Sequence, residues 1–282
     1  LFRSYDNGVV PVPVIFPVSD QVGPKYPATP TPTRIDELVV EKLAKLGEVQ
    51  SPLCSDEEFL RRVSLDMIGT LPAADEVEAF LADARKDKRA RKIDELLERP
   101  GYAAWWATRF SDWTGNNSQL QQNNGPDRRE TVSRFWYEWL RARIEKNVPY
   151  DEIVEGIVLA RSRLEDESYA DYCARMTGYQ AKDSTTSFAD QPYLPYFWSR
   201  SNFRTNEERA LGFAYTFLGV RIQCAQCHKH PFDQWTKDDF DRFENFFARV
   251  RFNKTPLDKD EKAVVEKMLG DLGIDVTKLK GN

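Results

Sequence analysis

The chain has 282 residues, 41% hydrophobic and 12% aromatic, which suits a folded protein with one large core or two modest ones. Its formal net charge of −5 argues against a nucleic-acid binder, which would carry a basic excess. No apolar run approaches the length of a bilayer span, so no membrane-crossing segment is expected.

Residues 1–33 contain seven prolines and almost no helical period, and read as an extended Pro-rich arm. Phe2, Ile15 and Phe16 give it apolar groups with which to pack in part. From Thr33 the pattern turns helical. Thr33 can cap with Asp36 three residues on, and Ile35, Leu38, Val39 and Leu46 mark one face. Ser55 opens a second helix whose first turn is acidic and whose inward residues are Phe59, Leu60 and Val63; Gly69 stops it. Pro72 precedes a third, with Val77, Phe80 and Leu81, and a fourth runs over about 86–98 to Pro100. A fifth carries Tyr102, Trp105, Trp106, Phe110 and Trp113.

Residues 114–127 are rich in Asn, Gln and Gly and read as an exposed loop. A long helix is expected over 129–146, with Phe135, Trp136, Trp139 and Leu140 as core, and another over 150–160. Residues 161–205 have no clear period. A loop of that length in a compact domain is either functional or held down by something. Residues 206–219 are helical again, with Leu211, Ala214, Tyr215 and Leu218 inward and Gly219 as the stop. Thr236 caps a last aromatic-rich helix carrying Phe240, Phe243, Phe246 and Phe247. The segment 254–282 reads as a charged helical tail with Val264, Val265, Met268 and Leu269 as a narrow stripe. The expected fold is mostly α: a single irregular helical domain over 34–253, with an extended arm before it and a tail after it.

Half of the four cysteines and both histidines fall within residues 224–230. There Cys224 and Cys227 stand in Cys-x-x-Cys-His with His228, the attachment pattern of c-type haem. Two thiols at that spacing can bond the two vinyl groups of one haem, and the adjacent imidazole becomes the proximal iron ligand. Two other readings stand beside it. Cys224, Cys227 and a histidine could hold zinc, although no second cysteine pair or distant histidine completes such a set. Or the cysteine pair could be a disulfide in a module that binds a protein or glycan partner.

The stretches 59–72, 92–100 with Tyr102, and 147–151 resemble one known family. So, most specifically, does Phe217-Leu-Gly-Val-Arg-Ile-Gln-Cys-Ala-Gln-Cys-His-Lys-His-Pro-Phe-Asp-Gln-Trp235, followed by Phe246-Phe247-Ala248. Together, over about 34–252, they resemble the planctomycete cytochrome-like domain of unknown function. The resemblance implies a secreted or periplasmic setting and an additional domain or subunit. It carries a haem site onto Cys224, Cys227 and His228, and names no substrate.

On this reading haem c is held covalently by Cys224 and Cys227 with His228 proximal. Arg221 is a candidate for a propionate, and Phe232 and Trp235 for the macrocycle edge or the space beneath the loop. Met176 is the candidate sixth ligand; a methionine there favours electron transfer, an open position favours peroxidase-like chemistry. His230 is either a second ligand, a hydrogen-bonding group or a histidine that holds its loop. The remaining Cys54 and Cys173 either pair in a disulfide, as an oxidising compartment allows, or are two small hydrophobes far apart. The function expected is electron transfer with a redox partner protein, or service as the redox module of a larger oxidoreductase.

Overall fold

A computed structural model describes residues 2–5, 8–11, 14–125, 128–181, 185–250 and 258–271, with backbone alone at 2–11. Its first two helices begin where side chains serve the unpaired N–H groups of the helix terminus. α1 (Arg34–Leu46) opens on a reciprocal box between Thr33 and Asp36, and α2 (Asp56–Ile68) on the Ser55 hydroxyl. α2 ends at Gly69, whose φ of 71° is the left-handed conformation that glycine adopts without strain. α3 (Ala74–Ala82), α4 (Lys88–Glu98) and α5 (Pro100–Thr114) complete the first half, with α2 packed against all three neighbours. α6 (Arg129–Glu145) lies along α5, and α7 (Tyr150–Leu159) comes next in the chain.

The main core gathers Trp136, Trp139 and Leu140 of α6, Ile153 and Ile157 of α7, and a run of aromatics from 188 to 203. Those aromatics are what holds down the long segment 161–205 that shows no clear period in the sequence. Phe188 stacks on Phe135 with centroids 4.5 Å apart, and Phe197 is fully buried. The Trp198 indole donates to the Val158 carbonyl at 2.8 Å, and Leu194 N–H to Gly156 at 2.9 Å. Arg143 donates to the carbonyls of Ala189, Gln191 and Pro192. Burial pulls the Arg143 guanidinium down to about 10, opposed by the charge of Asp190.

The same segment also contains α8 (Tyr169–Gly178), which the sequence pattern did not announce because no residue of it is buried. No disulfide ties it down: Cys54 and Cys173 are both free thiols. Cys54 lies before α2, where its carbonyl accepts from Arg89, whereas Cys173 rides on α8, which packs on α11 (Lys259–Asp271).

The polar stretch at 114–127 is likewise anchored. Gln121 is fully buried and accepts from Ser199 and Asn124, and Asn123 donates to the Ser199 carbonyl. The arm carries a short antiparallel hairpin, β1 (Phe2–Tyr5) with β2 (Gly8–Pro11), pairing Phe2 with Pro11 and Tyr5 with Gly8. The arm reaches α1 through Val18 N–H to Leu46 and the Ser19 hydroxyl to Gly47. Ile35, Leu38 and Val39 of α1, expected to face inward, are exposed, and the arm meets that helix at its C-terminal end.

Ion pairs tie α3, α4 and Arg99 together. Lys92 donates to Glu76 at 2.8 Å and Glu95 at 2.6 Å, and Arg99 adds a 2.7 Å bond to Glu76. Burial alone would raise the Glu76 carboxyl, but its bonds from Arg99 and Lys92 outweigh that and hold it below the ordinary 4.5. The hydrogen bond from Arg85 pulls Asp83 down to about 2. A carboxylate depressed in the folded state contributes stability above its unfolded value and loses it as pH falls through the folded one. Thermal melts are therefore expected to fall steadily from below pH 4.5 towards 2. Glu76→Gln should melt lower at neutral pH and show a shallower acid slope; an unchanged slope would show that Glu76 carries none of the acid dependence.

Candidate functional site

The residues that lead into Cys-x-x-Cys-His do not continue a regular helix. α9 (Asn206–Phe213) opens on a Thr205–Glu208 capping box and then widens into a π-helical turn, Ala214–Leu218. A π turn inserts an extra residue and rotates the positions after it, and such turns are frequent at functional sites. This explains a departure from expectation: Ala214 is buried, but Tyr215 is 36% and Leu218 53% exposed rather than inward. Gly219, left-handed at φ 63°, then turns the chain back.

A 3-10 turn over Gln223–Gln226 carries the first cysteine. Ala225, between the two cysteines, is fully buried and pins the turn, and its N–H donates to Ile222 at 3.0 Å. Cys224 and Cys227 are consequently turned outward, both exposed and both free thiols. The Gln226 side chain bonds Glu207 of α9. The loop closes where His230 N–H donates to the Trp235 carbonyl at 2.8 Å, and α10 (Lys237–Asn245) starts at once on a Thr236–Asp239 capping box. The Thr236 hydroxyl holds the Asp239 carboxyl below the usual range.

Beneath the turn lies a second, smaller core of Ala214, Ile222, Ala225 and Phe240, joined to the first through Phe243. Between them opens a small apolar cleft of about 90 Å³, lined by Ala214, Leu218, Val220, Ile222, Ala225, Trp235, Asp239, Phe240 and Phe243. Trp235, on its wall, has a buried indole N–H with no hydrogen-bond partner. Such a donor ordinarily finds an acceptor.

Tyr215 and Arg221 stand near Cys224. Burial raises the Tyr215 phenol, with Arg221 opposing and Cys224 adding to the rise. Lys237 stands near Cys227, although its raised value comes mainly from its bond to Asp241. Arg221 is exposed in a shallow cleft with Tyr215, Gly219 and Gln223. Phe232, expected at the macrocycle edge or beneath the loop, is 76% exposed and does not lie under it, because Trp235 takes that place.

His228 is exposed, and its Nδ1 lies 2.7 Å from the Lys229 carbonyl oxygen. A carbonyl can only accept, so Nδ1 carries a proton, and in the neutral ring the lone pair then lies on Nε2. Met176 is not brought to this loop's core. It packs against the main core, and its sulfur accepts from the Gln191 amide at 3.4 Å. Among the described residues no three His, Cys, Asp or Glu side chains draw together as a metal-holding group.

The thiols and imidazole present suit covalent attachment of a haem at the surface of the loop: two outward cysteines with the exposed His228 ring beside them. The additional residues that sequence reasoning missed are Tyr215 and Lys237. Their positions depend on the π turn and the α10 cap rather than on any spacing in the motif.

Over residues 34–252 the chain matches the model of one family, described as PSCyt2, protein of unknown function (DUF1549). No curated protein and no solved structure matches it.

Proposed function

The chain belongs to the PSCyt2 family, and on that premise we propose that it is a periplasmic or secreted c-type haem protein that moves electrons to or from a redox partner. The observation that carries this reading is the disposition of His228. Its Nδ1 proton is engaged by the Lys229 carbonyl, which leaves Nε2 as a neutral ligand beside two exposed thiols. Cys224 and Cys227 would form the thioethers, and the apolar walls around Ile222 and Phe240 would exclude water from one edge of the ring. The Trp235 N–H and the Arg221 guanidinium would serve its carboxylates. Haem bound there supplies a one-electron carrier whose potential depends on the sixth ligand. Haem attachment through cysteine thiols takes place outside the cytoplasm, which is the basis of the proposed location. Among the described residues no helix is long and apolar enough to cross a membrane.

The packing of Met176 in the main core supports a second reading, in which the sixth position is open and the chemistry is peroxidase-like. The deciding experiment is an intact mass under denaturing conditions with a pyridine haemochrome spectrum, on protein made with working c-type maturation. One added haem with a c-type spectrum is the expected result. An unmodified mass would overturn it and favour a non-haem binding module. Carbon monoxide or cyanide spectra then separate the two haem readings: binding without prior ligand displacement marks the open site.

A further inference from the structure

The two histidines of the loop sit two residues apart, yet their rings are held in opposite ways. His228 Nδ1 faces a carbonyl oxygen at 2.7 Å and so must donate. His230 Nδ1 faces the Phe232 backbone N–H at 3.2 Å and so must accept. A neutral imidazole that accepts at Nδ1 carries its proton at Nε2. In the neutral rings the loop therefore favours an Nε2 lone pair on His228, whereas His230 spends its lone pair on the Phe232 N–H.

The backbone around His230 gives this a purpose. Its own N–H is bonded to the Trp235 carbonyl at 2.8 Å, and its ring bonds the Phe232 N–H across Pro231. One residue thus clamps the loop 228–235 at two points. Trp235 at the far end lines the apolar cleft, and the Lys229 carbonyl that orients His228 lies just before the clamp. Slackening the clamp would free both.

We propose that His230 is a positioning residue, acting through Nδ1 to hold the loop that orients His228, and is not itself a ligand. The proposal rests on the reading of His228 as the haem ligand, but its tautomer prediction does not. In substitutions, the Asn amide oxygen can replace Nδ1, whereas the Gln amide reaches to the place of Nε2. His230→Asn should therefore behave as wild type and His230→Gln should not.

The test uses the full chain, isotopically labelled and haem-free, and reads the imidazole nitrogens by long-range proton–nitrogen correlation. His228 should be protonated at Nδ1 and His230 at Nε2. His230→Asn should keep the His228 tautomer, whereas His230→Gln should shift the His228 tautomer ratio roughly fivefold, the factor that one neutral hydrogen bond supplies. The same pair is then made with maturation machinery, where covalent haem yield should take the same order. Nδ1 protonation of His230, or rescue by Gln but not Asn, would overturn the proposal. So would equal behaviour of the two variants. If wild type takes up no haem while the tautomers are as stated, the haem reading fails and the clamp stands.

Discussion

Trp139→Ala is expected to lower the free energy of unfolding by about 3–5 kcal/mol, the range for a fully buried Trp or Phe cut to Ala. Trp139 is fully buried on α6 and connects three elements. Its indole donates to the Gln191 carbonyl at 2.8 Å, the bond that draws the 188–203 segment into the core. The Arg143 guanidinium lies 3.5 Å over its ring, so that the charge is cushioned by the aromatic face as well as by carbonyls. Below it, α7 approaches so closely that a Cβ added at Gly156 would stand 2.7 Å from the Trp139 ring. Truncation therefore opens a cavity, leaves Arg143 uncovered and removes a buried hydrogen bond together. Trp139→Phe should cost less, since it keeps most of the ring and loses the N–H. Gly156→Ala should cost about 1–3 kcal/mol by overpacking the same contact. Urea unfolding monitored by Trp fluorescence and circular dichroism reads all three. A loss under about 1 kcal/mol for Trp139→Ala would mean that the aromatic segment is anchored elsewhere.

The second large effect concerns covalent chemistry. With maturation machinery present, a Cys224→Ser/Cys227→Ser double variant is expected to carry no covalent haem, a complete loss against wild type. Cys54→Ser/Cys173→Ser should carry the full complement. Both thiols of the first pair are exposed on a turn pinned by the buried Ala225, so Ser is tolerated there without a packing change. Denaturing mass spectrometry separates covalent from adsorbed haem. Equal labelling of both double variants would show that attachment at Cys224 and Cys227 is not specific. The Cys54 and Cys173 thiols should also alkylate without reduction in the unfolded chain, in keeping with their separate placement on the loop before α2 and on α8.

Helix boundaries were legible where they depend on residues a few positions apart. Thr33 with Asp36, Ser55 with Glu58 and Thr236 with Asp239 make the caps that their spacing implies. The grouping of Cys224, Cys227 and His228 was legible for a like reason, since all three lie within five residues. The tightly clustered indoles of α6 read as core and are core. Less visible was α8, which has no buried stripe to show a period, and the exposure of Ile35, Leu38 and Val39 on α1, a helix with no buried residue.

The helical class, the caps and the grouping of Cys224, Cys227 and His228 are written in the order of the residues, because each rests on local geometry or local chemistry. The burial of residues 188–203 is a matter of long-range packing, since their partners on α6 and α7 lie far back along the chain; Phe188 stacks on Phe135, 53 residues earlier. Long-range packing also sets Gln121 against Ser199, 78 residues on, and assigns Met176 to the main core. The roles of the two histidines fall on the same side. Nothing in their spacing distinguishes them, and the choice between free lone pair and N–H is made by which backbone group the folded loop sets against each ring.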